Sequence, residues 1–265
     1  NTLAQSPVSN QGYMSIIDGT IENARIGLRV SASAYDDQTY WYHPVYDKTG
    51  GVISTNGATF LNNWKHVEFM KYNSPTGAPN SSVFAKTSFL YDGNFTDPNL
   101  AYAPSGAYRG YSDYVSLWDV QGVSFLGCTF ENSSTDETRH RGRAIYSINA
   151  TYKVDNYYDC PSLPCSTIIH CKFKNVREGI KALMFTSVNG PSLTVHDADF
   201  EGVRQGIGIS GYVLPYPKIL SNRISLVSGG SMLYDHDEAW GIHATGCDKY
   251  DIEENSITSD FAPSD

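Results

Sequence analysis

The chain has 265 residues and a formal charge of −9, with 40% hydrophobic and 18% charged residues. Its 19 Tyr, 11 Phe and 4 Trp give it too much apolar and aromatic surface to stay disordered. With 19 Lys and Arg against 28 Asp and Glu, and no basic cluster, it lacks the electrostatic footprint of a nucleic-acid-binding protein. No apolar run reaches the roughly 18 residues that a membrane-crossing helix needs, so no transmembrane segment is expected. Gly, Pro, Tyr, Ser, Thr and Asn are abundant, a mix that suits an all-β protein rich in turns. The chain opens Asn1-Thr2-Leu3, without an initiator Met or a signal peptide, and reads as a processed piece or fragment of a larger secreted protein.

In chain order, one phrase recurs. It stands as Asp18-Gly-Thr-Ile-Glu-Asn23, Gly57-Ala-Thr-Phe-Leu-Asn62, Gly127-Cys-Thr-Phe-Glu-Asn132, His170-Cys-Lys-Phe-Lys-Asn175 and Asp197-Ala-Asp-Phe-Glu-Gly202, with weaker copies around Phe89, Ile224 and Ile257. Its central apolar residues are Ile21, Phe60, Phe89, Phe130, Phe173, Phe200, Ile224 and Ile257, separated by 39, 29, 41, 43, 27, 24 and 33 residues. The shortest spacings approach one coil of a parallel β-solenoid, and the longer ones add insertions. Such uneven spacing argues against propeller blades. A Gly-Ile strand follows the phrase, as in Asn23-Ala-Arg-Ile-Gly-Leu28, Asn175-Val-Arg-Glu-Gly-Ile180 and Gly202-Val-Arg-Gln-Gly-Ile207. A third short strand precedes it, as in Val123-Ser-Phe125, Thr167-Ile-Ile169 and Leu193-Thr-Val195.

Each unit is therefore strand, turn, strand, Asn turn, strand. Alternate residues point inward. Stacked coils about 4.8 Å apart put equivalent positions into ladders, with the phenylalanines as a core column and Asn or Gly taking the left-handed backbone of the corners. One unit cannot bury its own inner face, but eight stacked units can. The expected fold is a right-handed single-stranded parallel β-helix of about eight coils over residues 1–265 as one domain, roughly 40 Å long, with inserted loops.

The phrases Cys-Thr-Phe-Glu-Asn, Cys-Lys-Phe-Lys-Asn and Ala-Asp-Phe-Glu-Gly, each with its Gly-Ile strand, resemble right-handed parallel β-helix proteins of the pectate-lyase type. More narrowly, they resemble the β-helical surface proteins exported by the bacterial type IX secretion system. The resemblance covers about residues 14–260. It implies secretion or cell-surface display and contact with secretion-system components. The C-terminal sorting domain of such cargo does not occur in this sequence.

Aromatic residues gather in the inserted segments. Residues 31–50 carry Tyr35, Tyr40, Trp41, Tyr42 and Tyr46; 149–165 carry Tyr152, Tyr157 and Tyr158; 211–218 carry Tyr212 and Tyr216. All three are expected to leave from one corner and form a face on which sugar rings stack, with Tyr40, Trp41, Tyr42, Tyr157, Tyr158, Tyr212 and Tyr216 as ligand-binding residues. A further insertion, about 91–114, is expected at a different corner after the Phe89 strand.

No cofactor is required by this reading; Asp235-His-Asp-Glu238 offers Asp235, Asp237 and Glu238 as candidate oxygen ligands for a Ca²⁺ ion, the alternative being a solvated acidic loop. Asp197 and Asp199 should point outward. Arg25, Arg177 and Arg204 share one repeat position, which argues for a structural role, and Lys181 is a further candidate base. No Gly-His-Gly, His-Glu-x-x-His or Gly-x-Ser-x-Gly motif occurs. Cys128 and Cys171, at one repeat position, should be small core residues, whereas Cys160-Pro-Ser-Leu-Pro-Cys165 is expected to close a local disulfide between Cys160 and Cys165. These observations point to a non-enzymatic secreted or cell-surface module for adhesion or glycan binding. The alternatives are a polysaccharide lyase or glycoside hydrolase with a cleft along the solenoid, and a structural spacer of a large surface protein.

Overall fold

The structure of the chain, a computed structural model, describes residues 12–30, 33–36, 41–44, 50–71, 78–94, 113–135, 142–160, 167–188, 190–227 and 239–260. Among these the regular structure is all strand, arranged in three parallel sheets of eight, eight and seven strands and two antiparallel pairs, Ser33–Asp36 with Trp41–Pro44 and Tyr157–Asp159 with Thr167–Ile169. The first sheet holds Gly12–Ile17, Gly51–Asn56, Val83–Ala85, Gln121–Leu126, Thr151–Asp155, Thr194–His196, Lys218–Leu220 and Asp251–Glu253. The second holds Thr20–Glu22, Thr59–Leu61, Ser88–Tyr91, Thr129–Asn132, Lys172–Lys174, Asp199–Val203, Arg223–Leu226 and Ser256–Ser259. The third holds Ile26–Val30, Lys65–Phe69, Asp113–Trp118, Arg143–Ile148, Glu178–Leu183, Gln205–Ser210 and Trp240–Thr245. The chain visits first, second and third sheet in turn and pairs each strand with its equivalent one coil later, so the fold is a parallel β-helix. None of its helices is long and apolar enough to cross a membrane, there being no helix among the described residues.

The register is the one that the recurring phrase predicts. Ile21 pairs with Phe60, Phe60 with Phe89, then Phe130, Phe173, Phe200, Ile224 and Ile257, one residue per coil. The five phenylalanines from Phe60 to Phe200 are at most 1% exposed. Their rings stack at centroid distances of 5.3, 4.7, 4.8 and 4.4 Å with interplanar angles of 14°, 13°, 5° and 3°. The spacing between rings thus matches the spacing between strands, and one geometry satisfies backbone hydrogen bonding and ring dispersion together. A second column in the first sheet adds Phe84 and Phe125, stacked at 5.2 Å.

Local chemistry explains the corners. From the second sheet to the third, Asn23, Asn62, Asn175 and Gly202 hold positive φ values of 55°, 50°, 52° and 65°. From the first to the second, the turn is two residues long in seven coils, led by Asp18, Gly57, Lys86, Gly127, Asp197, Ser221 and Glu254, all at positive φ. The following residue points inward and is small or amide-bearing: Cys128 and Cys171 are fully buried there as expected. Asn222 is fully buried, accepting from the Ala198 N–H and donating to the Val195 carbonyl. The glycine of the Gly-Ile strand also has a reason. A Cβ on Gly179 would stand 2.5 Å from the Phe200 ring and one on Gly241 2.7 Å from the Ile257 side chain, so the third strand must start bare to admit the next coil's column residue.

His66 lies within this core, fully buried, edge-on to Tyr114 at 4.8 Å and packed against Phe60 and Phe89. The Asn63 amide nitrogen, 3.2 Å away, donates to its Nδ1, so Nε2 carries the proton and finds no partner. Burial drives its pKa down from 6.5 to about 3.

Two expectations follow. Truncating the middle of the column, Phe130→Ala, should cost about 3–5 kcal/mol in denaturant unfolding, whereas Phe130→Leu, which keeps most of the apolar volume but loses the ring, should cost less; equal costs would show that the stacked ring rather than buried volume carries the stabilisation. Because the folded-state value of His66 lies below the unfolded one, acid protonates the unfolded chain first. Its contribution is intact above about pH 6.5 and drains away as the pH falls toward 3, by several kcal/mol in all. Replacing His66 by Leu should therefore move the acid-unfolding midpoint to lower pH, read by circular dichroism.

Candidate functional site

The outer face of the third sheet collects the most varied chemistry. Its columns run along the stacking direction, because each outward residue sits one coil from its register partner. Asp113, Arg143, Glu178, Gln205 and Trp240 form one column at the strand starts. Arg29, Glu68, Ser116, Tyr146, Lys181, Gly208 and His243 form the next. Trp118, Ile148, Leu183, Ser210 and Thr245 form the third, at the strand ends.

The first two columns are cross-linked by charge. Glu68 accepts from Arg29 Nε and Lys65 Nζ, each at 2.6 Å. Burial alone would push its carboxyl pKa up, but these two cations outweigh it and hold the pKa below its usual value. Arg143 Nε donates to Asp113 while its guanidinium lies 3.9 Å from the Tyr146 ring centroid, a cation–π contact. Glu178, 3% exposed, lies 3.9 Å from both Arg177 and Lys181. Toward the C-terminal coils the face becomes aromatic: Trp240 lies across Gly208, where a Cβ would meet the indole at 2.7 Å, and stands edge-to-face with His243 at 5.5 Å. The third column is apolar at Trp118, Ile148 and Leu183. Trp118 is 41% exposed and Phe185, whose N–H donates to Asn149 Oδ1, is 72% exposed. Val213 and Leu214, also exposed, lie in the segment that leaves this same edge.

This face therefore presents fixed ionic and hydrogen-bonding groups on one side and bare aromatic surface on the other. Such a combination can hold an amphipathic ring: hydroxyls or carboxylates toward the ions, the apolar ring face toward Trp118 and Phe185. Its carboxylates are each matched to cations, Asp113 to Arg143 and Glu178 to Arg177 and Lys181.

The expected site residues fall differently. Segments 31–50 and 211–217 do leave one corner, between the third and first sheets. Residues 151–155, however, are a first-sheet strand, so the aromatic segment of that coil is displaced to the corner between the first and second sheets, where Tyr157–Asp159 and Thr167–Ile169 form an antiparallel hairpin. The shared-corner expectation thus fails for Tyr157 and Tyr158. A strand with an inward Tyr152 reads from sequence much like an aromatic loop. Tyr158 is 52% exposed, and Tyr157 lies under Lys86 Nζ at 5.0 Å. Tyr212, expected on the ligand face, is fully buried and donates to the Ala150 carbonyl at 3.1 Å, so it anchors its loop to the core. Tyr216 lies 5.2 Å from Lys249 Nζ. Trp41 and Tyr42 stand on a hairpin strand, opposite Asp36 and Tyr35. Tyr40 lies outside the described residues, as do Asp235, Asp237 and Glu238, the expected Ca²⁺ ligands. Among the described residues, no group of three or more His, Cys, Asp or Glu is arranged to hold a metal. Cys128, Cys171 and Cys247 are free thiols; Cys160 is not among them, and its expected partner Cys165 lies outside the described residues.

Asp113, Arg143, Tyr146, Trp118, Phe185 and Trp240 were not singled out from the sequence. For the strand residues the signal was available: once the Gly-Ile strand is aligned, Tyr146 and Lys181 take the outward parity beside inward Ile145 and Ile180. Comparison with known proteins adds nothing to this placement: no family model, no curated protein and no solved structure matches the chain.

Proposed function

We propose that the chain is a secreted or cell-surface module that binds a glycan along the outer face of its third sheet, without cleaving it. The observation behind this reading is the run of ionic and aromatic columns along the stacking direction, bordered by the exposed Trp118 and Phe185. Because each coil adds one position to every column, successive sugar units of one chain would meet successive sets of contacts that differ in chemistry from coil to coil. Arg143 and Lys181 supply donors, Asp113 accepts hydroxyl protons, and Trp118, Phe185 and Trp240 supply ring surface. The hairpin bearing Trp41 and Tyr42, and the loop with Tyr216, would border the bound chain at the corner between the third and first sheets.

Display outside the cytoplasm agrees with the Cys160–Cys165 pair, which an oxidising compartment would close. Export through the type IX route, with its secretion components as partners, and a Ca²⁺ ion at Asp235, Asp237 and Glu238 belong to the same proposal. They rest on the sequence resemblance and on the acidic run respectively.

The test is a glycan array followed by affinity electrophoresis in gels containing the captured polymer. The full chain should be retarded, and Trp118→Ala, Trp240→Ala and Arg143→Ala should each weaken retardation about tenfold or more. Trp118→Ala should do so with an unchanged melting temperature, since its ring lies on the surface. Failure to retain any of a panel of neutral and uronic-acid polymers would overturn the reading. Ultraviolet absorbance from unsaturated sugars in the same mixtures would replace it with a lyase. Non-reducing peptide mapping should return residues Cys160 and Cys165 in one linked fragment; free thiols at both would remove the argument from compartment.

A further inference from the structure

The wall formed by the first sheet is interrupted at its third coil. The strands on either side, Gly51–Asn56 and Gln121–Leu126, are six residues long, whereas the strand between them, Val83–Ala85, has three. We propose that the recess left there on the outer surface is a further carbohydrate site, which takes a single neutral sugar ring and acts independently of the third-sheet face.

The recess is held open by a specific set of bonds. The segment Asn80-Ser81-Ser82 lies where the missing half of the strand would run. It joins the coil after it through the backbone: the Asn80 N–H donates to the Gln121 carbonyl at 2.7 Å, and the Ser124 N–H to the Ser82 carbonyl at 2.9 Å. Toward the coil before it, side chains replace the backbone ladder. Asn80 Nδ2 donates to the Gly51 carbonyl at 3.0 Å, and the Ile53 N–H donates to Ser82 Oγ at 2.9 Å. A side chain set between two backbones holds them further apart than a direct amide-to-carbonyl bond, so the wall opens between these two coils. Asn80 also braces its own segment, its Oδ1 accepting from the Ser82 N–H at 2.8 Å. Asn80 and Ser82 are 1% and 0% exposed, so water does not compete for these bonds. The next coil accommodates the segment as well. A Cβ on Gly122, at φ 93°, would stand 2.6 Å from the Asn80 carbonyl oxygen and 2.8 Å from Pro79. The register of that strand shifts at the same place, between Gln121 and Val123. Bulges of this kind re-aim side chains and recur beside functional sites.

Ser82 and Phe84 turn inward, so Ser81 and Val83 turn outward, as do Val52 and Ser54 beside inward Ile53. These four, with Gly12 and Tyr13 of the first coil, line an open cavity of about 330 Å³. That is at the lower end of the roughly 300–1,000 Å³ of small-molecule sites. Tyr13 is the register partner of Val52 and is 65% exposed. None of the six lining residues carries a charge, so the cavity offers no counter-ion to a carboxylate, sulfate or phosphate. It offers two serine hydroxyls, each donor and acceptor, two valine surfaces and one phenol ring. A neutral pyranose is the complement: its ring hydrogens face Tyr13 and the valines, and its hydroxyls face Ser54 and Ser81. A purely apolar ligand would strip water from the serine hydroxyls and give nothing back.

Saturation-transfer NMR on the full chain tests the site. The neutral probes are the methyl glycosides of glucose, galactose and mannose, and the charged probe is methyl glucuronide. At least one neutral probe should show transfer, with a dissociation constant on the order of 1 mM, as suits so small a ligand. Tyr13→Ala should weaken binding about 3- to 10-fold, and Ser81→Leu, which fills the recess, should abolish it. Both side chains are exposed, so the melting temperature should not change. The same measurement in Trp118→Ala, which strips part of the third-sheet face, should give an unchanged signal, so the two sites fail separately. No transfer from any neutral probe overturns the proposal. So does transfer that neither Tyr13→Ala nor Ser81→Leu reduces, and so does methyl glucuronide bound as tightly as the neutral sugars.

Discussion

Every other feature depends on the coincidence of two lengths. Parallel strands bonded edge to edge stand about 4.8 Å apart, and aromatic rings stack comfortably at nearly that distance. When one position of each coil is phenylalanine, the ladder of backbone hydrogen bonds and the column of rings therefore impose the same register. From Phe89 to Phe200 the rings lie at 4.4–4.8 Å and within 13° of parallel. Slipping a strand by one residue would turn a phenylalanine outward and break the column in both directions. The column ends in Ile21 on one side and in Ile224 and Ile257 on the other, so its aromatic section is confined to the interior coils.

That constraint explains why the fold was legible in the sequence and the site was not. A ladder needs one residue type at one position, and repetition of a type is what a sequence displays. Ile21, Phe60, Phe89, Phe130, Phe173, Phe200, Ile224 and Ile257 could be aligned by inspection, and so could the asparagines of the second corner. The first corner was harder. Its left-handed residue is Lys86, Ser221 or Glu254 as readily as Gly or Asp, because the hydrogen bonds of neighbouring coils hold the turn and the side chain needs only to reach solvent. Outward columns are harder still. Arg143 and Glu178 share a register position but not a chemistry, so nothing repeats. Their relation appears only after inward residues have fixed the parity.

Aromatic residues misled for a related reason. A tyrosine has an apolar ring for the core and a hydroxyl for solvent or a carbonyl, so its presence does not reveal its side of the wall. Tyr152 and Tyr212 sit in inserted-looking sequence yet are buried, while the exposed rings of Trp118 and Phe185 lie at the ends of third-sheet strands that resemble core sequence. Length was the better guide. Residues 149–150 make a two-residue corner, as 119–120 do, and only the sixteen residues between the strands Thr151–Asp155 and Lys172–Lys174 are free to become an insertion.

The division of labour between wall and corner follows from this. In the wall, a substitution on an inward position is felt by the coils above and below, because column residues touch in sequence. The face outside is isolated from that column by the backbone, so Tyr146, Lys181 and His243 can differ from coil to coil without disturbing Ile145, Ile180 or Ile242 beneath them. Corners are freer again, since a loop there interrupts no ladder provided that its ends return to adjacent strands. The hairpin of the fifth coil meets this condition at real cost: Gly127 at φ 59° beneath it could carry no side chain, because a Cβ would stand 2.7 Å from Tyr157. Its base is closed by Asn156 and His170 bonding to one aspartate of the next coil. An insertion that served only as slack would need neither the bare glycine below nor the shared carboxylate above. Having both, the hairpin is held in place from both neighbouring coils, and that is the condition under which an exposed pair such as Tyr158 and Ile168 can be presented in one orientation.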